Sequence, residues 1–66
     1  MNVAKLKAKI VENEMNVEGL ADKIGMDRSA LYRRLNDAEK ITIGEALKIK
    51  DALGMTNKEA NDIFLA

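Results

Sequence analysis

The chain predicts an all-α fold of five short helices, and three observations carry that reading. No proline occurs among the 66 residues, so no backbone position in a helix interior lacks its amide donor. Gly25 and Gly54 each follow an apolar periodic segment, where a helix-ending glycine belongs. Thr42-Ile43-Gly44-Glu45 and Thr56-Asn57-Lys58-Glu59 both have the Thr-x-x-Glu pattern of a capping box. The length allows one small domain, residues 1–66, and no second one.

The first helix is expected from Val3 to Glu14, with Leu6 and Ile10 four apart on one face. Lys5, Lys7 and Lys9 fall off that stripe and are predicted to be solvated, as are Glu12, Glu14 and Glu18. Asn16 caps a second helix, Val17 to Ile24, whose inner face is Leu20, Ala21 and Ile24. Gly25-Met26 forms the turn. Asp27 caps the third helix, Arg28 to Leu35, with its carboxylate at the positive end of the dipole. The cluster Asn36 to Lys40 reads as a loop. The two capping boxes open a fourth helix ending near Leu53 and a fifth carrying Ile63 and Phe64. The expected core is Leu6, Ile10, Leu20, Ala21, Ile24, Met26, Leu31, Leu35, Leu47, Leu53, Ile63 and Phe64.

Composition narrows the chemistry. Without cysteine or histidine there is no disulfide framework, no Cys/His zinc site and no ordinary general base for neutral pH. Asp22 and Asp51 have no partners suggesting a metal, and Met1, Met15, Met26 and Met55 read as initiator and core filler. No nucleophile with an adjacent base and no phosphate loop occurs, so the expectation is a non-enzyme with no cofactor and no metal. No apolar run approaches the roughly 20 residues of a membrane span, and a cytoplasmic location with no membrane partner is expected.

Eleven basic and eleven acidic side chains balance to zero net charge. Placement matters more than the sum. The only arginines are Arg28, Arg33 and Arg34, all on the third helix. The segment Asn16 to Asn36, with Leu20-Ala21, Ile24, Gly25, Met26 and Leu31, has the spacing of a DNA-binding helix-turn-helix over residues 17–35. At about 100° per residue, with Leu31 and Leu35 inward, Ser29 and Arg33 point almost directly away, Tyr32 and Asn36 lie on the outer flank, Arg28 occupies the first turn and Arg34 sits nearer the core edge. One outward face is read as carrying Arg28, Ser29, Tyr32 and Arg33. Arginine donates two bonds to guanine, serine reaches a base edge or phosphate, and tyrosine meets a thymine methyl or a backbone oxygen.

On these residues the chain resembles the lambda-repressor-like, Cro-type helix-turn-helix family of phage repressors and related regulators. The resemblance runs from Leu6 to Phe64. It is strongest in Leu20-Ala21-x-x-Ile24-Gly25-Met26-x-Arg28-Ser29-x-Leu31-Tyr32-Arg33 and continues in Ile43-x-x-Ala46-Leu47-x-Ile49-x-x-Ala52-Leu53-Gly54-Met55-Thr56. It implies a five-helix domain that inserts helix 28–35 in the major groove of double-stranded DNA. Arg28, Ser29, Tyr32 and Arg33 would face bases. Arg34, Lys40 and the amides at Asn16 and Val17 would face phosphate. Val17 stands where the family often carries glutamine. Gly19 and Gly44 replace polar residues common in their places, and Gly19 reads either as a close backbone approach or as a neutral replacement.

The resemblance further implies a transcriptional regulator, a phage or prophage repressor in a bacterial host cell, acting as a homodimer. The fifth helix is the expected dimer surface, because Phe64 and Leu65 are adjacent and cannot both point inward. The balanced charge also admits a modulator that grips a partner repressor, or the antitoxin of a toxin pair.

Overall fold

Every helix begins at a residue whose side-chain oxygen accepts the amide three positions further on. The computed structural model describes residues 1–37 and 41–65. Within them α1 spans Val3–Glu12, α2 Val17–Ile24, α3 Arg28–Asn36, α4 Ile43–Ala52 and α5 Asn57–Phe64. Asn2 caps α1 at 3.1 Å, Asn16 caps α2 at 2.8 Å and Asp27 caps α3 at 3.1 Å. Thr42 and Thr56 accept the amides of Glu45 and Glu59, and each glutamate returns a bond from the threonine amide at 2.9 Å. Both capping boxes are therefore closed. The all-α architecture of five helices is as the sequence predicts.

The helix ends share one device. The Met26 amide donates to the Ala21 carbonyl at 2.8 Å across Gly25, whose φ is 70°. The Met55 amide donates to the Lys50 carbonyl at 3.0 Å across Gly54, whose φ is 61°. These six-to-one bonds satisfy carbonyls that the helix leaves open. α1 closes the same way, with the Met15 amide on the Ile10 carbonyl at 3.1 Å, but Glu14 sits in the left-handed position at φ 56°. A β-carbon there costs roughly 1–2 kcal/mol. The expected extent of α1 to Glu14 is thus two residues too long, because no glycine announces its end. α3 runs one residue beyond the expected Leu35.

α2 occupies the middle, packed on α1, α3 and α4, while α5 closes the molecule against α1 and α4. Leu6, Leu20, Ala21, Leu31 and Ile49 are fully buried, with Ile10, Leu35, Leu53, Met55 and Ile63 completing the core. Met26 and Phe64 are half-buried against it. One core assignment is overturned: Leu47 is 55 % exposed, and Ile49 takes the inner position on α4. Leu47 and Leu53 lie six residues apart, about 240° round the helix, so they cannot share a face, whereas Ile49 and Leu53 do.

The lysine reading also needs correction at one position. Lys9 is not a solvated side chain: its Nζ is 2.6 Å from Glu59 Oε2, tying α1 to the first turn of α5. The Asn2 amide adds a 2.6 Å bond to the Ile63 carbonyl. The Lys9 ammonium, seconded by the Thr56 amide, pulls the Glu59 carboxyl down to about 2 from its ordinary 4.5.

Two measurements check this packing. Ile49→Ala should lower the unfolding free energy by about 2–5 kcal/mol in a urea titration, against about 0.5 kcal/mol or less for Leu47→Ala. Equal costs would contradict the inward assignment of Ile49. Because the folded-state pKa of Glu59 lies below its unfolded value, its contribution is whole above pH 4.5 and lost as pH falls toward 2. Glu59→Gln should therefore flatten the fall of the urea midpoint across that interval.

Candidate nucleic-acid interface

α3 is set by Leu31 and Leu35, which bury one side of it beside α2 and leave the other to solvent. Arg28, Ser29, Tyr32 and Arg33 are all exposed: Ser29 and Arg33 point away from the Leu31–Leu35 side, while Arg28 and Tyr32 lie on the flank toward α2. Their donors are not equally free.

Arg28 is held from α2. Its Nε lies 3.1 Å from Asp22 Oδ1 and its Nη2 2.6 Å from Asp22 Oδ2, a two-pronged pair with both side chains more than half exposed. Four residues further out on each helix, the Tyr32 hydroxyl donates to Glu18 Oε1. Asp22 with Arg28 and Glu18 with Tyr32 thus form two rungs between α2 and α3. The hydrogen bond from Tyr32 holds the Glu18 carboxyl below its ordinary value and raises the phenol. The bond to Arg28 likewise depresses Asp22 and raises the guanidinium.

These rungs overturn one expectation: Glu18 is half-buried and bonded rather than simply solvated. Asp22 meets an arginine, a pairing the sequence reading did not assign. A signal was present: Glu18 and Asp22 are four apart on α2, Arg28 and Tyr32 four apart on α3, and the pairs nest about the Gly25 turn. Asp27, a plausible pair for the arginines, accepts the Ala30 amide instead.

Arg33 is different. It is exposed and has no ion pair or side-chain hydrogen bond among the described residues, and Ser29 sits one turn before it. Arg34 is half-buried, with its Nε 3.0 Å from Glu45 Oε1. The same oxygen accepts the Thr42 amide, so Arg34 ties α3 to the start of α4 through the capping box, while its Nη groups make no such bond among the described residues. The Thr42 amide, followed by Arg34, lowers the Glu45 carboxyl.

Of the residues expected to face phosphate, Asn16 and Val17 stand at the start of α2 and Arg34 in the last turn of α3. The Asn16 side chain is engaged in capping, and Val17 packs half-buried against the core. A β-carbon at Gly19 would lie 3.1 Å from Asn16 Oδ1 and 3.3 Å from Met15 Cγ, so glycine permits the tight approach of this cap. Lys40 lies outside the described residues. Residues 16–37 hold four basic and four acidic side chains, so the helix pair carries no cationic surplus.

Away from α3, a groove of about 450 Å³ runs between α4 and α5, bordered by Ile41, Ile43, Ala46, Leu47, Phe64 and Leu65. Ile43 is 82 % and Leu65 78 % exposed, while Phe64 turns inward against the core. No described helix is long and apolar enough to cross a membrane.

Comparison with curated proteins and with solved structures returned no match. Comparison with family models matched a helix-turn-helix family over residues 6–59, from within α1 to the first turn of α5. That span includes α2, the Gly25 turn and α3 in full, and the chain belongs to the lambda-repressor/Cro-like helix-turn-helix family of DNA-binding regulators.

Proposed function

We propose that this chain is a sequence-specific double-stranded DNA-binding transcription regulator, a repressor or Cro-like protein of phage or prophage type, that inserts α3 into the major groove. The observation that carries the reading is Arg33: an exposed guanidinium on the outer face of α3, one turn from Ser29, with no ion pair or side-chain hydrogen bond among the described residues. A planar fork in that position matches the two acceptors of guanine. Arg28 and Tyr32 complete the base-facing set. The amides at Asn16 and Val17, the Nη groups of Arg34, and Lys40 are assigned to phosphate. Such a protein acts in the cytoplasm of a bacterial host.

One copy spans only a half-site, so we assign the α4–α5 groove to a second copy of the chain. Ile43, Leu47 and Leu65 put adjacent apolar surface in water, which self-association would cover. Two α3 helices would then read half-sites about 34 Å apart.

A second reading has its own support. The carboxylates on Arg28 and Tyr32 leave a charge-compensated face, which also suits a modulator docking on a partner repressor. Retardation of duplex DNA by the purified chain alone favours the first reading; retardation only with a partner repressor added favours the second.

Selection from a random duplex library, followed by fluorescence anisotropy on the winning site, tests the assignment of α3. Arg33→Ala should weaken that site by about 1–3 kcal/mol and relax preference at one position, with little change on mixed-sequence duplex. An unchanged affinity and an unchanged selected sequence would remove Arg33 from the interface. For the second copy, sedimentation equilibrium should show a species of twice the chain mass, returned to the monomer by Leu65→Asp combined with Leu47→Asp. A wild-type chain that stays monomeric at high micromolar concentration would refute the dimer.

A further inference from the structure

We propose that Glu18 and Asp22, on α2, set the sequence specificity of α3 by acting as internal competitors for its groove-facing donors. The inference rests on the DNA-binding reading above and adds to it two residues that make no favourable contact with DNA themselves.

The geometry of the two rungs is the starting point. Asp22 occupies two of the five Arg28 N–H donors, in the same forked arrangement that a guanine edge or a phosphate would adopt. Glu18 takes the one proton that Tyr32 can donate. Both rungs reach the surface: the Arg28 and Asp22 side chains are 57 % and 58 % exposed, and Tyr32 is 42 % exposed beside a half-buried Glu18, so neither is sealed from an incoming ligand. An exposed pair contributes little to folding and separates readily. Arg28 can therefore exchange Asp22 for another acceptor, but the exchange leaves a bare carboxylate beside the duplex.

That consequence separates correct from incorrect DNA. On arbitrary sequence the available acceptors are phosphates, and binding draws on cation release from the backbone, a gain proportional to the number of phosphates neutralised. An arginine paired with aspartate neutralises nothing, and opening the pair places a negative charge within a Debye length of the phosphates. On the correct sequence the base edge gives Arg28 a two-bond replacement of equal geometry and offsets the opening. The carboxylates thus tax every sequence and the cognate one is compensated. This accounts for how a chain of zero net charge serves as a reader of duplex DNA: its discrimination comes from suppressing general attraction to the backbone. Arg33, with no such partner among the described residues, supplies the unconditional contact.

The test uses the full chain with Asp22→Asn, Glu18→Gln and Asp22→Glu. The first two keep shape and hydrogen-bonding atoms while removing charge, and the third keeps charge. Affinity is measured by anisotropy on a mixed-sequence duplex and on the site selected by the wild-type protein, across a series of potassium chloride concentrations. Asp22→Asn and Glu18→Gln should each raise mixed-sequence affinity roughly tenfold at low salt. The slope of log affinity on log salt should steepen by about 0.9 for the phosphate that Arg28 newly neutralises in Asp22→Asn. The ratio of selected-site to mixed-sequence affinity should fall in both, and Asp22→Glu should behave as the wild type. Circular dichroism melts close to the wild type would show that fold loss is not the cause, and a role confined to packing α2 on α3 would leave the salt slope unmoved. If the wild type binds its selected site and neither neutral variant changes the ratio or the slope, the inference is wrong and the DNA-binding reading stands. If neither wild type nor any variant holds duplex DNA even at the lowest salt, the DNA-binding reading itself fails and takes the inference with it.

Discussion

The position of α3 depends on the burial of Leu20 and Ala21, both with no exposed surface, in the helix packed on α1, α3 and α4. α2 meets α1 on one side and α3 and α4 on others, so a helix of eight residues serves as the spacer of the whole molecule. Ala21 keeps that spacer narrow. Leu31 and Leu35 then dock α3 beside it, and the rotation of α3 about its own axis follows from burying those two side chains. The exposure of Ser29 and Arg33 is a consequence of that rotation rather than an independent feature.

Short helices make the ends as important as the faces. An eight-residue helix leaves half its amides and half its carbonyls without internal partners, and isolated helices of this length are marginal in water. The chain meets this with an acceptor side chain at every start and six-to-one closures after α1, α2 and α4. Glu45 and Glu59 do two jobs each: they close capping boxes and also receive Arg34 and Lys9 from other helices. Local helix initiation and tertiary docking are thereby coupled through the same carboxylates, which links the position of α4 to that of α3.

The outward face of α3 combines two electrostatic regimes. Arg33 has no ion pair or side-chain hydrogen bond among the described residues, while Arg28 and Tyr32 are donors already answered by α2. A face of this kind differs from a uniformly basic ridge, because its attraction for anions depends on what the incoming ligand offers in exchange for the carboxylates. The neutral composition of residues 16–37 is the expression of that arrangement at the level of sequence.

Much of the architecture was readable in the linear chain because it rests on local rules. Asn16, Asp27, Thr42 and Thr56 are short-range caps, Gly25 and Gly54 are left-handed stops, and the Leu20 to Leu35 pattern marks a helix-turn-helix. Each is decided within a few residues. The end of α1 was not readable, because a strained Glu14 fills a place where glycine would have been the signal. Hydrophobicity alone points Leu47 inward, and only the packing of α4 on α2 gives that side to Ile49 and Leu53. The same division holds for the candidate site. That Ser29 and Arg33 lie on the outer face of α3 follows from a 3.6-residue period. Glu18 and Asp22 gain their partners once α2 and α3 fold about the Gly25 turn, whereas Glu45 and Lys9 gain theirs only when separate parts of the chain pack together. Charge pairing between helices depends on their distance and rotation, and those quantities exist only once the core has formed.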